Sequence, residues 1–273
     1  MIRIAAVGDV HLGEDTRGRL RPALEPLPEV ADVLLLAGDL TRHGRLDEAA
    51  VVADEFRDLG LPVITVLGNH DYHSDANDVI ARMLADAGQI VLEGDAVELD
   101  LPGGRLGVAG AKGFGGGFAG KCASEFGEPE MKAFVRTTKD ISARLLQALQ
   151  GLRTEVKVAL LHYSPSRETL IGEPPEIHPF LGSYLLAEAV DTGGADLAIH
   201  GHAHAGCERG LTSGGTLVRN VAQPVLRRPF AVYCLGEQDE PECATDVREA
   251  RAARAAAPAA AATGAAGAAG PVR

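Results

Sequence analysis

Two hydrophobic periods alternate along the first third of the chain. Ile2 to Val7, Val33 to Ala37 and Val63 to Leu67 are short runs rich in Val, Leu and Ile, the pattern of strands. Before the third run, Leu46, Ala49, Ala50, Ala53, Phe56 and Leu59 recur at spacings of three and four. They predict one helical stripe, stopped by Gly60 and Pro62. Ile80, Met83 and Leu84 predict a shorter helix. From Ile90 to Gly110 the pattern shifts to short strands broken by Gly94, Pro102, Gly103 and Gly104, which reads as antiparallel, and a glycine-rich loop follows from Gly113 to Gly120. Phe134, Ile141, Leu145, Leu149 and Leu152 mark one face of a long helix. Val156 to Leu161, Leu197 to Ile199, Thr216 to Val221 and Phe230 to Leu235 complete the strand candidates. Strands alternating with helices define an α/β protein.

Beyond about Glu249 the pattern stops. The last 25 residues hold 14 alanines with glycines at 264, 267 and 270. That composition cannot build a core, so residues 249–273 are expected to be a flexible tail behind a single domain over residues 1–240. A helical turn or two over Asp246 to Ala257 is compatible with it, ended by Pro258.

Charge narrows the partners. The formal net charge of −12 gives the molecule a field that repels polyanions, which disfavours a nucleic-acid coat protein. Cys122, Cys207, Cys234 and Cys243 form neither a CxxC pair nor a dense framework, so reduced thiols and a cytoplasmic location are expected. The first strand-like run begins at Ile2, which leaves no room for a leader, and no long apolar stretch predicts a membrane span.

Chemistry gathers at strand ends. Gly8-Asp9-Val10-His11, Gly38-Asp39 and Gly68-Asn69-His70-Asp71 follow the first three strands, and His162 and Gly201-His202-Ala203-His204 follow two later ones. One Asp-x-His alone is an ordinary capping pair, and one histidine after a strand is an ordinary rim residue. The set is not ordinary, because five elements in order supply carboxylates, an amide oxygen and imidazoles. Residues two apart in extended chain project to one side, so Asp9 with His11, and His202 with His204, can present two ligands together. Oxygen and nitrogen donors without thiolate suit Mn, Fe or Zn.

This ordered pattern of D-x-H, GD, GNH[DE], H and GHxH resembles the calcineurin-like metallophosphoesterase superfamily. The resemblance implies a four-layer αββα fold, a sandwich of two sheets flanked by helices, with two divalent or mixed-valence metal ions (Mn, Fe or Zn) at one end. By position in the motifs, Asp9, His11, Asp39 and His204 would hold one ion, and Asp39, Asn69, His162 and His202 the other, with Asp39 bridging. The implied activity is hydrolysis of a phosphodiester or phosphomonoester by in-line attack of a hydroxide held between the metals. Such a site has a local charge of about +1, enough to draw a phosphate into an acidic protein. His70, not a ligand in the superfamily, would protonate the leaving oxygen, and Asp71 would orient its ring or serve as a cap.

Other signals are weaker. Gly115 to Cys122 fits G-x-x-x-x-G-K but ends in cysteine where a phosphate-binding loop needs a hydroxyl; Lys112 or Lys121 is instead a candidate substrate contact. Arg17, Arg19 and Arg21 read as a solvated loop or a phosphate clamp, and Arg167 belongs to a proline-rich stretch, Tyr163 to Phe180, read as a loop over the site. His43, His73 and His178 fall outside every motif.

The run Gly38-Asp39-Leu40-Thr41-Arg42-His43-Gly44 and a GNHD third motif depart from the phosphoprotein phosphatases of the superfamily, which carry Asp-Arg-Gly and GNHE. His11-Leu12-Gly13 is similar to the double-strand-break nucleases, but those enzymes append a cap and dimerisation region, whereas only about 70 residues follow His204 here and much of that is tail. The expectation is therefore a small phosphorylated substrate, without membrane and without nucleic acid, in an unspecified oligomeric state. A nuclease-type phosphodiesterase and a non-catalytic scaffold of the same fold are the alternatives.

Overall fold

The computed structural model describes residues 1–236, without the side chain of Lys121. Cys243, the turns near 246–257 and the alanine-rich segment lie outside the described residues.

The first half of the chain lays down β1 (Ile2–Val7), the one-turn helices α1 (Arg21–Leu24) and α2 (Leu27–Val30), β2 (Val33–Ala37), α3 (Leu46–Phe56), β3 (Val63–Val66) and α4 (Asn77–Asp86). Then come β4 (Ile90–Val91), β5 (Asp95–Leu101), β6 (Gly104–Ala111), β7 (Gly117–Phe118), β8 (Lys121–Cys122) and α5 (Pro129–Gly151). The remainder is β9 (Val156–Leu161), α6 (His178–Leu181), α7 (Tyr184–Gly193), β10 (Leu197–His200), β11 (Arg209–Leu211), β12 (Leu217–Asn220), α8 (Gln223–Leu226) and β13 (Ala231–Leu235).

These strands form a five-stranded sheet in the order β13-β1-β2-β3-β4 and a six-stranded sheet in the order β11-β12-β10-β9-β6-β5. The inner strands of both are parallel, and the antiparallel pairs lie at the edges, β13 on β1, β5 on β6 and β11 on β12. Strand alternation then sorts side chains into layers. Ile2, Ile4 and Ala6 enter the core between the sheets with Val108, Val158 and Ile199. Ala5 and Val7 face the opposite way, onto Val52 and Phe56 of α3 and Leu84 of α4. On the far side, Ala159 and Leu161 meet Leu145 and Leu149 of α5 and Val190 of α7. Helices, sheet, sheet and helices make the expected αββα sandwich, whose apolar burial is the main favourable term in its stability.

Three sequence expectations change in detail. The helix from Leu46 ends at Phe56, before Gly60, because Arg57 turns extended and Asp58 takes φ 51°. Of the short strands after Ile90, only β5 and β6 form an antiparallel hairpin; β4 instead extends the first sheet, parallel to β3. The glycine-rich loop closes as the ribbon of β7 with β8, and no helix begins at Cys122, so the geometry of a phosphate-binding loop is absent there.

Candidate metal centre

Every parallel strand that carries a motif ends at the same edge of the sandwich, the edge where α/β sheets place ligands. Gly8 N–H donates to Val221 O and Asp9 N–H to Gly38 O, so the first motif is stitched to strands of both sheets. The loops then take a backbone that side chains rarely adopt: Asp9, His11, Asp39 and His202 have φ of 56°, 42°, 51° and 70°. Such conformations cost on the order of 1–3 kcal/mol each and persist only where the surroundings enforce them. Close approach is enforced as well, since a Cβ at Gly68 would overlap Asp39 Oδ1 and one at Gly201 would overlap Asp9 Oδ2.

The turns bring two groups of donors together. Asp9, His11, Asp39 and His204 each offer an atom within 4.8 Å of the others, and so do Asp39, His162 and His202. Asp39 belongs to both groups. Asn69 Oδ1 joins the second, 2.9 Å from His162 Nε2.

Hydrogen bonds set the ring orientations. His162 Nδ1 donates to Ala37 O at 2.8 Å, which leaves Nε2 as a lone pair facing Asn69 Oδ1 at 2.9 Å and Asp39 Oδ1 at 3.3 Å. Three electron-pair donors converging without a proton between them is an arrangement that a cation relieves. His202 Nε2 donates to Phe180 O at 3.3 Å, leaving Nδ1 as that ring's lone pair. His11 Nε2 is buried without any hydrogen-bond partner. Burial pushes His162 well below the usual histidine range and His202 down to about 3, so both rings are neutral, the form that binds metal. Burial also raises Asp9 to about 6, against the opposing hydrogen bond from His204, while that bond raises His204. The donor set, the orphaned His11 nitrogen and the converging lone pairs all fit divalent ions.

His70 stands at the open side. Its ring contacts that of His11 at 4.6 Å, its Nε2 lies 4.0 Å from Asp39 Oδ2, and its side chain is 44% exposed. Its Nδ1 donates to Arg42 O at 2.6 Å, so the contact expected from Asp71 is not made. Asp71 is fully buried and accepts instead from Leu40 N, Thr41 N, Thr41 Oγ1 and Gly68 N at 2.6–3.2 Å. It ties the second motif's loop to the third, and desolvation with the nearby Asp39 charge raises it to about 6 despite those donors.

Sequence reasoning missed the braces. Arg42 holds His70 through its carbonyl and His11 O through its Nε at 3.0 Å. Asn220, which ends β12, holds Ala203 O and Ala222 N. Buried His200, pushed down to about 3 by burial, bonds Thr169 Oγ1 and Gly201 O. Their only signal was position, a polar residue at or just after a strand end.

The weaker candidates sort clearly. Arg17 pairs with Asp54, and Arg21 donates to carbonyls at the end of α3, including Glu55 O at 3.3 Å. Arg21 therefore caps a helix terminus and Arg17 is held by a carboxylate of the same helix, so neither is free to clamp a phosphate. His43 pairs with Glu48, His73 is exposed, and His178 bonds Glu173 O, all outside the donor groups. The proline-rich stretch reaches the site through Phe180 O, whereas Arg167 lines a separate cavity of about 470 Å³ with Phe118, Tyr184 and Leu211.

A family model described as calcineurin-like phosphoesterase matches residues 2–206. No curated protein matches the chain. Among solved structures, phosphopantetheinyl hydrolase from Mycobacterium tuberculosis superposes with a TM-score of 0.63 at 17% identity, covering 87% of this chain and 98% of its own. The protein TT1561 of Thermus thermophilus gives 0.55 at 18% identity, covering 85% and 97%. A Staphylococcus aureus protein described as a candidate 5'-nucleotidase gives 0.52 at 13%, covering 92% of this chain and 58% of its own. At these identities the likeness is one of fold. Among the described residues, no helix is long and apolar enough to cross a membrane.

Proposed function

The chain belongs to the calcineurin-like phosphoesterase family, and from that premise we propose that it hydrolyses a phosphodiester or phosphomonoester of a small substrate at a two-metal centre. The observation that carries this reading is the convergence of donor atoms from five motifs on two adjacent positions that share Asp39. Asp9, His11, Asp39 and His204 would hold one ion, and Asp39, Asn69, His162 and His202 the other. Bound there, two divalent cations supply positive charge that polarises a phosphoryl group and acidifies water.

The chain's own residues do the rest. Arg42 O can only accept, so His70 Nδ1 keeps its proton and Nε2 is the atom that transfers one at the substrate. Its partly exposed ring lies beside Asp39, the place where a leaving oxygen needs a proton. Asp71 is a positioning residue, since it fixes the backbone on which Asp39 and His70 stand.

The test is turnover of a bis-aryl phosphodiester, an aryl phosphomonoester and cyclic nucleotides by protein loaded with Mn, Fe or Zn. Hydrolysis of at least one, abolished by chelation, is the expected result. Full metal content with no turnover would instead favour a non-catalytic scaffold. Cleavage of long nucleic acid with a steep salt dependence would favour a nuclease, because a backbone binder making six to ten phosphate contacts loses about 10³–10⁵ in affinity between 50 and 200 mM salt.

A further inference from the structure

The chain has only seven phenylalanines, four tyrosines and no tryptophan, yet four of these rings form one wall leading away from the metal centre. The Tyr163 ring lies 4.3 Å from that of His202 and 5.8 Å from Phe114; Phe114 continues to Phe134 at 5.0 Å, and Phe134 to the exposed Phe180 at 6.3 Å. Tyr72, two residues after His70, faces this wall across one side chain, that of Lys112. Its Nζ sits 4.4 Å from the Tyr72 ring, 5.3 Å from Phe114 and 5.7 Å from Tyr163.

The main chain fixes this placement. Lys112 O accepts from both His162 N and Tyr163 N at 3.0 Å, so residue 112 is tied to the strand end that carries a donor of the second group. Glu93 is the nearby carboxylate, but it accepts from the Lys112 backbone N–H at 3.2 Å and from Arg144 at 3.5 Å. Nζ itself has no hydrogen-bond or ion-pair partner among the described residues. Arg42, by contrast, is paired with Asp15 at 2.6 Å, and Arg17 with Asp54.

An ammonium has three donors, and three ring faces stabilise its charge without satisfying any of them. A half-buried lysine free to pair usually turns its head to water or to a carboxylate. This one is held in an aromatic collar between the His70 turn and the His162 turn. Burial in the collar lowers its pKa, while the charges of Glu93 and Asp39 oppose that effect.

Resting on the phosphoesterase reading above, we propose that Lys112 is the subsite for a second anionic group of the substrate, a phosphate joined to the one at the metal centre, so that the preferred substrate is an organic diphosphate. The aromatic collar keeps the ammonium in place and thins the water that would screen it, which strengthens its attraction for an anion. A substrate bearing one phosphoryl group leaves Lys112 unused.

The experiment is calorimetric binding of methylenediphosphonate and of methylphosphonate to the manganese-loaded full-length chain. The expected result is at least tenfold tighter binding of the diphosphonate, a preference that Lys112→Met reduces to near unity and Lys112→Arg largely keeps. Should Lys112→Met fail to fold, Lys112→Gln gives the same comparison. An unchanged preference in the charge-neutral variant, or no preference in the parent protein, overturns the proposal. The readout does not depend on turnover: absence of hydrolysis across all esters contradicts the phosphoesterase reading alone, and equal binding of the two phosphonates contradicts the Lys112 subsite alone.

Discussion

His70 points its Nδ1 at the carbonyl oxygen of Arg42, 2.6 Å away, and so presents Nε2 to the open side of the site. A main-chain oxygen, not a carboxylate, orients this ring. His70→Ala should therefore retain both metals while losing about 10²–10⁴ in kcat, the usual worth of a positioned proton donor. The loss should shrink for nitrophenyl esters, whose leaving groups need little protonation. An equal loss with good and poor leaving groups, measured on two aryl esters of different leaving-group pKa, would assign His70 to charge stabilisation instead.

Asp71 predicts a different phenotype. Its removal leaves three backbone N–H groups and the Thr41 hydroxyl without their buried acceptor. Each orphan costs roughly 1–3 kcal/mol if nothing replaces the bond, and partial repair by water brings the expected total to about 3 kcal/mol. Asp71→Ala should lower Tm by about 10 °C. Asp71→Asn, which keeps the shape and one acceptor, should lose less. A Tm within 2 °C of the parent for Asp71→Ala would contradict the bracing role.

Asp39 and Asn69 separate the two positions. Asp39 belongs to both donor groups, whereas Asn69 reaches only the group with His162. Elemental analysis of Asp39→Ala should find both metals lost, and that of Asn69→Ala a loss confined to one. Full occupancy in Asp39→Ala would refute a shared ligand.

Acid should release the metals, and the sign follows from two groups. Asp9 is raised to about 6 by burial, and His204 is raised above its ordinary range by its hydrogen bond to Asp9. Below about pH 6 both hold protons that they must give up to act as ligands. Metal affinity should therefore fall as pH drops from 7 to 5, by up to about a hundredfold per pH unit once both are protonated, and binding at pH 6 should liberate protons. Titration calorimetry in two buffers of different ionisation enthalpy measures that release; none at pH 6 would contradict the assignment.

How far the sequence alone reached depends on the kind of constraint. β1, β2 and β9 were legible to the residue because they are continuous apolar runs, and α5 was legible because its buried stripe repeats over several turns. The donor residues were legible because a metal needs particular atoms at strand ends. What stayed hidden depends on contacts far apart in sequence. Asp71 follows His70 directly, yet its bonds run to residues 40, 41 and 68, away from the His70 ring. The arginines after His11 read as a solvated loop or a phosphate clamp because charge is visible in a sequence and the waiting end of α3 is not. The aromatic collar of Lys112 joins residues from three separate segments with no common spacing.

The central claim is a phosphoesterase centre that works with two metal ions, and titrating metal into stripped protein while following bis-nitrophenyl phosphate hydrolysis tests it most directly. Activity should stay low until the second equivalent enters and should saturate at two Mn²⁺ per chain. Saturation at one equivalent, or hydrolysis of neither this diester nor nitrophenyl phosphate with two bound, would contradict it.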